Sequence, residues 1–143
     1  IFRIRGEEKP EIEASYYTEL LKTKPETIKK IPSLDLCLLG IGGDGHTASI
    51  FPHELKKLSD KTDCVVGINP ESGQKRVSLS IKQINNSKEV IFHVCGSGKK
   101  DVVDMIISKR DNYLDLPASH ILPKSKNLSW YLDFDSAETF MGT

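Results

Sequence analysis

Apolar and polar residues alternate along this chain in more than one rhythm. Over residues 10–23, Ile12, Tyr16 and Leu20, with Ala14, Tyr17 and Leu21, recur at three- and four-residue spacing, which predicts a helix packed on one face. Lys24-Pro25 ends it, since proline cannot sit in a helix interior. Leu34–Ile41 and Lys88–Cys95 are instead nearly continuous apolar runs, the pattern of parallel strands covered on both faces. Val77, Leu79 and Ile81 alternate with Arg76, Ser78 and Ser80, predicting a strand with one buried side. Residues 99–109 predict a helix, Leu128–Asp133 a late strand, and Asp135-Ser136-Ala137 the start of a last short helix. Strand, glycine-rich loop and helix in repetition is an α/β pattern.

Composition narrows the reading. The 143 residues amount to about one domain. Twenty basic side chains balance 20 acidic ones, so no global positive field points to a nucleic-acid backbone. The longest apolar runs are far short of the roughly 20 residues that span a bilayer, and no basic-then-apolar leader opens the sequence. The expectation is a cytoplasmic protein without nucleic-acid or membrane partners. Cys37, Cys64 and Cys95 form no C-x-x-C pair and match no zinc spacing, so they read as three buried, reduced thiols. No metal or redox role is expected of them.

The chemistry concentrates in Gly40-Ile41-Gly42-Gly43-Asp44-Gly45-His46-Thr47-Ala48-Ser49-Ile50-Phe51-Pro52, directly after a predicted strand. That is where α/β proteins keep their ligand sites. Two phosphate-binding motifs nearly fit. Gly40, Gly42 and Gly45 satisfy G-x-G-x-x-G, but Pro52 follows Gly45 by seven residues and leaves no room for the long helix a dinucleotide loop needs. Gly40 to Thr47 mimics a Walker loop, but with His46 where the lysine belongs. What remains is a histidine held among glycines. It reads either as a general base beside backbone N–H groups able to stabilise an oxyanion, or as a tight turn with a surface histidine. Asp44 reads either as a partner that orients the imidazole or as the cap of a short helix that follows.

This stretch, LGIGGDGHTASIFP, closely resembles the signature of 6-phosphogluconolactonases, which share a superfamily with the glucosamine-6-phosphate isomerase/deaminases. Lys75-Arg76-Val77-Ser78-Leu79-Ser80 resembles the family's arginine-led strand, and Val94-Cys95-Gly96-Ser97-Gly98-Lys99 its strand followed by Gly-x-x-Lys. Leu116-Pro117-Ala118-Ser119 and Trp130-Tyr131-Leu132-Asp133 resemble later family motifs, and order and spacing agree over essentially the whole chain. The deaminase branch continues past the histidine to a glutamate used in ring opening; Phe51 stands at that place, and an apolar ring carries no proton.

The resemblance implies a Rossmann-like, mostly parallel sheet flanked by helices, with the family's N-terminal strands missing from this chain. Residues 1–143 then form a single lactonase-like domain that is the C-terminal portion of a longer one. It implies hydrolysis of 6-phosphoglucono-δ-lactone to 6-phosphogluconate, a step of the oxidative pentose phosphate pathway, with no metal or cofactor. His46 is the implied base and Asp44 its candidate partner. Gly42, Gly43 and Gly45 are the implied oxyanion donors. Arg76 and Lys99 are the implied phosphate ligands, and Lys100 ranks below them. His53 is a weaker candidate for a substrate contact, His93 reads as a packed or hydrogen-bonded structural residue, and His120 as a loop residue with no clear partner. Some family members are fused to glucose-6-phosphate dehydrogenase, so fusion to or association with that enzyme is the partner expectation. The alternatives are a glucosamine-6-phosphate deaminase/isomerase, a non-catalytic sugar-phosphate-binding module and, more remotely, a dinucleotide-binding domain.

Overall fold

A computed structural model describes residues 1–24, 26–28, 31–58 and 62–141. The chain opens with helix α1 (Pro10–Thr23), where Pro10 sits in the first turn and supplies a preset φ without wasting a donor. Two short strands, β1 (Glu26–Ile28) and β2 (Ile31–Ser33), pair antiparallel, and β3 (Leu36–Leu39) follows. After the glycine-rich loop come a 3-10 turn (Pro52–Glu54), α2 (Leu55–Leu58) and the antiparallel pair β4 (Cys64–Ile68) and β5 (Lys75–Leu79). Then follow α3 (Ile81–Ile84), β6 (Glu89–Val94), α4 (Lys100–Ile107), β7 (Leu128–Leu132) and α5 (Phe134–Ala137). Strands β3, β6 and β7 form a parallel sheet in the order β3-β6-β7.

Opposite residues in a parallel pair share a face. Cys37 and Val90, then Leu39, Phe92 and Trp130, therefore point to one side, where they pack with Ile81 and Ile84 of α3, Val102, Val103 and Ile106 of α4, and Ala118 and Ile121. Phe92 and Trp130 stack at 4.2 Å between centroids. The other side differs from the sequence expectation. Leu36, Leu38 and Tyr131 are 51%, 64% and 59% exposed, so β3 and β6 are covered on one face only by the described residues. β3 also has β6 as its sole partner among them, leaving one edge free. No described helix is long and apolar enough to cross a membrane.

A second core joins α1 to the β4–β5 hairpin through Ala14, Leu21 and Cys64, with Tyr17, Val66 and Val77 packed around them. The stripe that packs is Ala14, Tyr17 and Leu21; Ile12 and Tyr16, on the other predicted stripe, stay exposed. Glu13 is buried because Arg5 satisfies it, by the backbone N–H and the guanidinium. The strand rhythm at 77–81 breaks at its end: Ser80 caps α3 by accepting the Gln83 N–H, so Ile81 belongs to a helix.

The hairpin's other face carries Gly67, Arg76 and Ser78 and lies against the chain just after the glycine loop. Ser49 N–H donates to Ser78 Oγ at 3.1 Å. Gly67 has to be glycine, since a Cβ there would sit 1.9 Å from the Ser49 carbonyl oxygen. Of the cysteines, Cys37 and Cys64 are buried as expected, but Cys95 is exposed, on the open face of the sheet past β6. Burial pushes the thiols of Cys37 and Cys64 up to about 11.

Two outcomes follow for stability. Gly67→Ala is expected to cost about 1–3 kcal/mol by overpacking, read as a lower urea midpoint; an unchanged midpoint would show that the hairpin does not bear on Ser49. Cys37 and Cys64 are expected to resist alkylation at pH 7 until the chain unfolds, as peptide mass mapping would reveal.

Candidate active site

The glycine-rich loop leaves the end of β3 and folds back on itself. Thr47, fully buried, donates its hydroxyl to the Gly40 carbonyl at 2.8 Å and closes the base. Gly42 N–H donates to the His46 carbonyl at 2.8 Å, and Gly45 N–H to the Gly42 carbonyl at 3.0 Å. Gly45 adopts a φ of +79°, and a side chain there would collide with Leu116. Its carbonyl accepts the Ala118 N–H at 3.0 Å, so the Leu116–Ser119 segment clamps the loop from outside.

Inside this ring sits the imidazole. Asp44 Oδ1 accepts the His46 backbone N–H at 3.1 Å and lies 2.6 Å from His46 Nδ1. A carboxylate at Nδ1 selects the tautomer with the proton on that nitrogen and leaves Nε2 as an acceptor. Burial raises the Asp44 carboxyl, but the hydrogen bonds from the His46 N–H and ring outweigh it and hold the group below its ordinary value. The alternative of a helix cap is not realised, since the next helical turn begins at Pro52. Gly42 makes room for the ring: a Cβ there would lie 2.1 Å from Nδ1. Phe51, 1% exposed, sets its ring 4.9 Å from the imidazole and forms the floor.

A second loop meets the first. Beyond β6, Gly96 takes a φ of +94°, and its N–H donates to both Asp133 carboxylate oxygens, at 3.1 and 2.9 Å. Asp133 also caps α5 through the Ser136 N–H at 2.9 Å, and Ser136 and Gly96 hold its carboxyl below the usual range. The end of β7 thereby sets the loop that carries Lys99. Gly43 passes close to Gly98: a Cβ on Gly43 would be 3.5 Å from its carbonyl oxygen.

Gly42, Gly43, Asp44, His46 and Lys99 thus line one open cleft of about 270 Å³. The Lys99 ammonium has no ion pair among the described residues, whereas Lys100 is held by Glu138 at 2.9 Å. Only Gly43 of the three candidate oxyanion donors keeps a free N–H among the described residues; those of Gly42 and Gly45 are consumed within the loop. Gly45 is a turn residue outside the cleft lining. Arg76 does not line the cleft either; its Nε donates to Gln74 Oε1 at 3.1 Å, though it projects from the hairpin face that lies on residues 49–51.

The other histidines stand apart. His53 faces Glu54 at 3.8 Å and is half exposed. His93, expected to be packed or hydrogen-bonded, is exposed on the open sheet face, where Nε2 meets Cys95 Sγ at 3.9 Å. His120, expected without a partner, bonds the Leu114 carbonyl at 2.7 Å. The cleft also has a wall the sequence reading missed: Asn69, Pro70 and Glu71, at the tip of the β4–β5 hairpin. The available signal was the turn chemistry of Asn69-Pro70 and Gly73 between two apolar runs. No group of three or more His, Cys, Asp and Glu side chains able to hold a metal occurs among the described residues.

The family model for glucosamine-6-phosphate isomerases/6-phosphogluconolactonase matches residues 1–130. The chain is 39% identical to a 6-phosphogluconolactonase of Treponema pallidum over 125 residues, 87% of this chain and 51% of that protein. It is 38% identical to the GDH/6PGL endoplasmic bifunctional protein of Homo sapiens, over 73% of this chain and 13% of that one. The crystal structure of a devB protein superposes with a TM-score of 0.90 at 38% identity, covering 97% of this chain and 58% of that one. The chain spans about half the length of the curated 6-phosphogluconolactonases it matches. With the model matching across both loops of the cleft, the chain belongs to the glucosamine-6-phosphate isomerase/6-phosphogluconolactonase family.

Proposed function

We propose that the protein hydrolyses 6-phosphoglucono-δ-lactone to 6-phosphogluconate. The observation that carries this reading is the Asp44–His46 pair, 2.6 Å apart, in one cleft with the unpaired Lys99. The reaction is acyl transfer to water. His46 Nε2 takes a proton from water as its oxygen bonds to the lactone carbonyl carbon, and negative charge moves to the carbonyl oxygen. The Gly43 N–H is the free donor for that oxyanion. Collapse re-forms the carbonyl and breaks the ring C–O bond. The imidazolium returns the proton to the departing alkoxide, so the base is restored and the open-chain acid leaves. Asp44 steadies the ring and its transient positive charge. Lys99 holds the phosphate, and Arg76 is a second phosphate ligand once it exchanges Gln74 for the anion.

Phe51 argues for the lactonase over the deaminase. Its ring lies 4.9 Å from the imidazole, at the place where the deaminase branch carries its glutamate, and it neither gives nor takes a proton. A separate enzyme that oxidises glucose 6-phosphate supplies the lactone, either fused, as the human relative's name describes for two activities, or as another chain. Thiols kept reduced in the cytoplasm suit this setting.

In the full-length protein, His46→Ala is expected to lower lactone turnover about 10²- to 10⁴-fold, measured by acid release at constant pH. Undiminished turnover would remove His46 as the base. Ammonia release from glucosamine 6-phosphate would favour the deaminase, and ligand-induced stabilisation without turnover would favour a binding module. Lys99→Ala is expected to raise KM about tenfold or more with a smaller change in kcat; an unchanged KM would place the phosphate elsewhere. Because Asp44 lies below its ordinary value, its charge survives at neutral pH. Its contribution to stability is present above about pH 3.9 and is lost as the pH falls through the lower folded value. Acid unfolding curves of wild type and Asp44→Asn should therefore differ above that range and converge below it.

A further inference from the structure

We propose that Glu71 is a specificity-determining residue, its carboxylate accepting hydrogen bonds from the sugar hydroxyls and keeping the phosphate at the Lys99 end of the cleft. The proposal rests on the sugar-phosphate reading of this site. Glu71 lines the same cleft as His46, Asp44 and Lys99. Asp44 is already engaged by His46, but the Glu71 carboxylate has no donor among the described residues. An unpaired carboxylate repels a phosphate and accepts from hydroxyl groups. With a free ammonium and a free carboxylate in one cleft, a ligand that is anionic at one end and rich in hydroxyls at the other has one favourable orientation.

The placement of Glu71 is fixed by the structure around it. Asn69 Oδ1 accepts the backbone N–H of both Glu71 and Ser72 at 2.9 Å, and Gly73 N–H donates to the Asn69 carbonyl at 2.9 Å. These bonds shape the turn without using the Glu71 side chain. The hairpin is then fastened to the catalytic loop. Glu54, 6% exposed, accepts the Ile68 N–H at 2.7 Å, one residue before the turn. Ser78 and Gly67 hold Ser49 at the next points along. The wall is therefore set relative to His46 by buried contacts, which is the condition for a contact that discriminates between ligands.

The test compares wild type, Glu71→Ala and Glu71→Gln in the full-length protein. Glu71→Ala is expected to lower kcat/KM for the lactone at least tenfold, mainly through KM, with the unfolding midpoint unchanged. Glu71→Gln, which retains an acceptor oxygen, is expected to recover most of the loss. Calorimetry with two probes gives an independent readout: Glu71→Ala should weaken glucose 6-phosphate binding but leave inorganic phosphate binding undiminished. Equal losses for both probes, or glucose 6-phosphate affinity unaltered in Glu71→Ala, would overturn the assignment. A wild type that binds glucose 6-phosphate without turning over the lactone would sink the hydrolase reading, while the two-probe comparison would still decide the role of Glu71.

Discussion

The site depends on one contact that a larger residue at position 42 would forbid. Asp44 and His46 are two residues apart, and their side chains meet at 2.6 Å only because the backbone doubles back at Gly42 and Gly45. The turn leaves the imidazole against the Gly42 Cα, so the missing Cβ is a steric requirement. The same turn consumes the amide protons of Gly42 and Gly45 in holding the loop closed. Of the three glycines that look, by composition, like a nest of free N–H groups, only Gly43 keeps its own free among the described residues. For the proposed role such closure is worth more than extra donors, because a general base has to be held close to the water it activates.

The surrounding fold positions this ring from several sides. Ala118 and Leu116 press on Gly45 from the loop before β7, and Asp133 ties the Lys99 loop to the end of that same strand. The hairpin reaches in from the other core and leans on Ser49. The cleft is therefore assembled at the carboxyl ends of β3, β6 and β7, where a parallel sheet splays its loops, and is completed by an antiparallel pair that is not part of the sheet. Two packed units meeting there make the cleft sensitive to substitutions such as those at Gly67 that touch no substrate.

Much of this was legible in the residues. The 10–23 helix, the strands at 36–39, 89–94 and 128–132 and the helix after Lys99 follow directly from apolar spacing and punctuation. The candidate site at Asp44 and His46 was legible because glycines, an acid and an imidazole crowd into a few positions. What spacing could not convey was direction. A continuous apolar run reads as covered on both faces, yet Leu36 and Leu38 face outward, since burial is a property of what packs on a strand and not of the strand. Strand β4 is short and carries a glycine, so its rhythm was too weak to see. Without β4 there was no hairpin, and without the hairpin nothing linked Asn69–Glu71 to a loop some 25 residues earlier. Ile81 was lost to the strand rhythm because Ser80 caps a helix there.

Phe51 constrains the chemistry as firmly as the residues that carry it. It is 1% exposed and its ring lies 4.9 Å from the imidazole, so that side of His46 meets an apolar surface that neither gives nor takes a proton. In the proposed lactone hydrolysis one base is used twice, because the attacking water loses the proton that the departing ring oxygen gains. The neutral balance of the whole chain fits the same logic: the cleft sets one ammonium and one free carboxylate at chosen places, and the proposed substrate, small and singly phosphorylated, needs such a local pair and no global field.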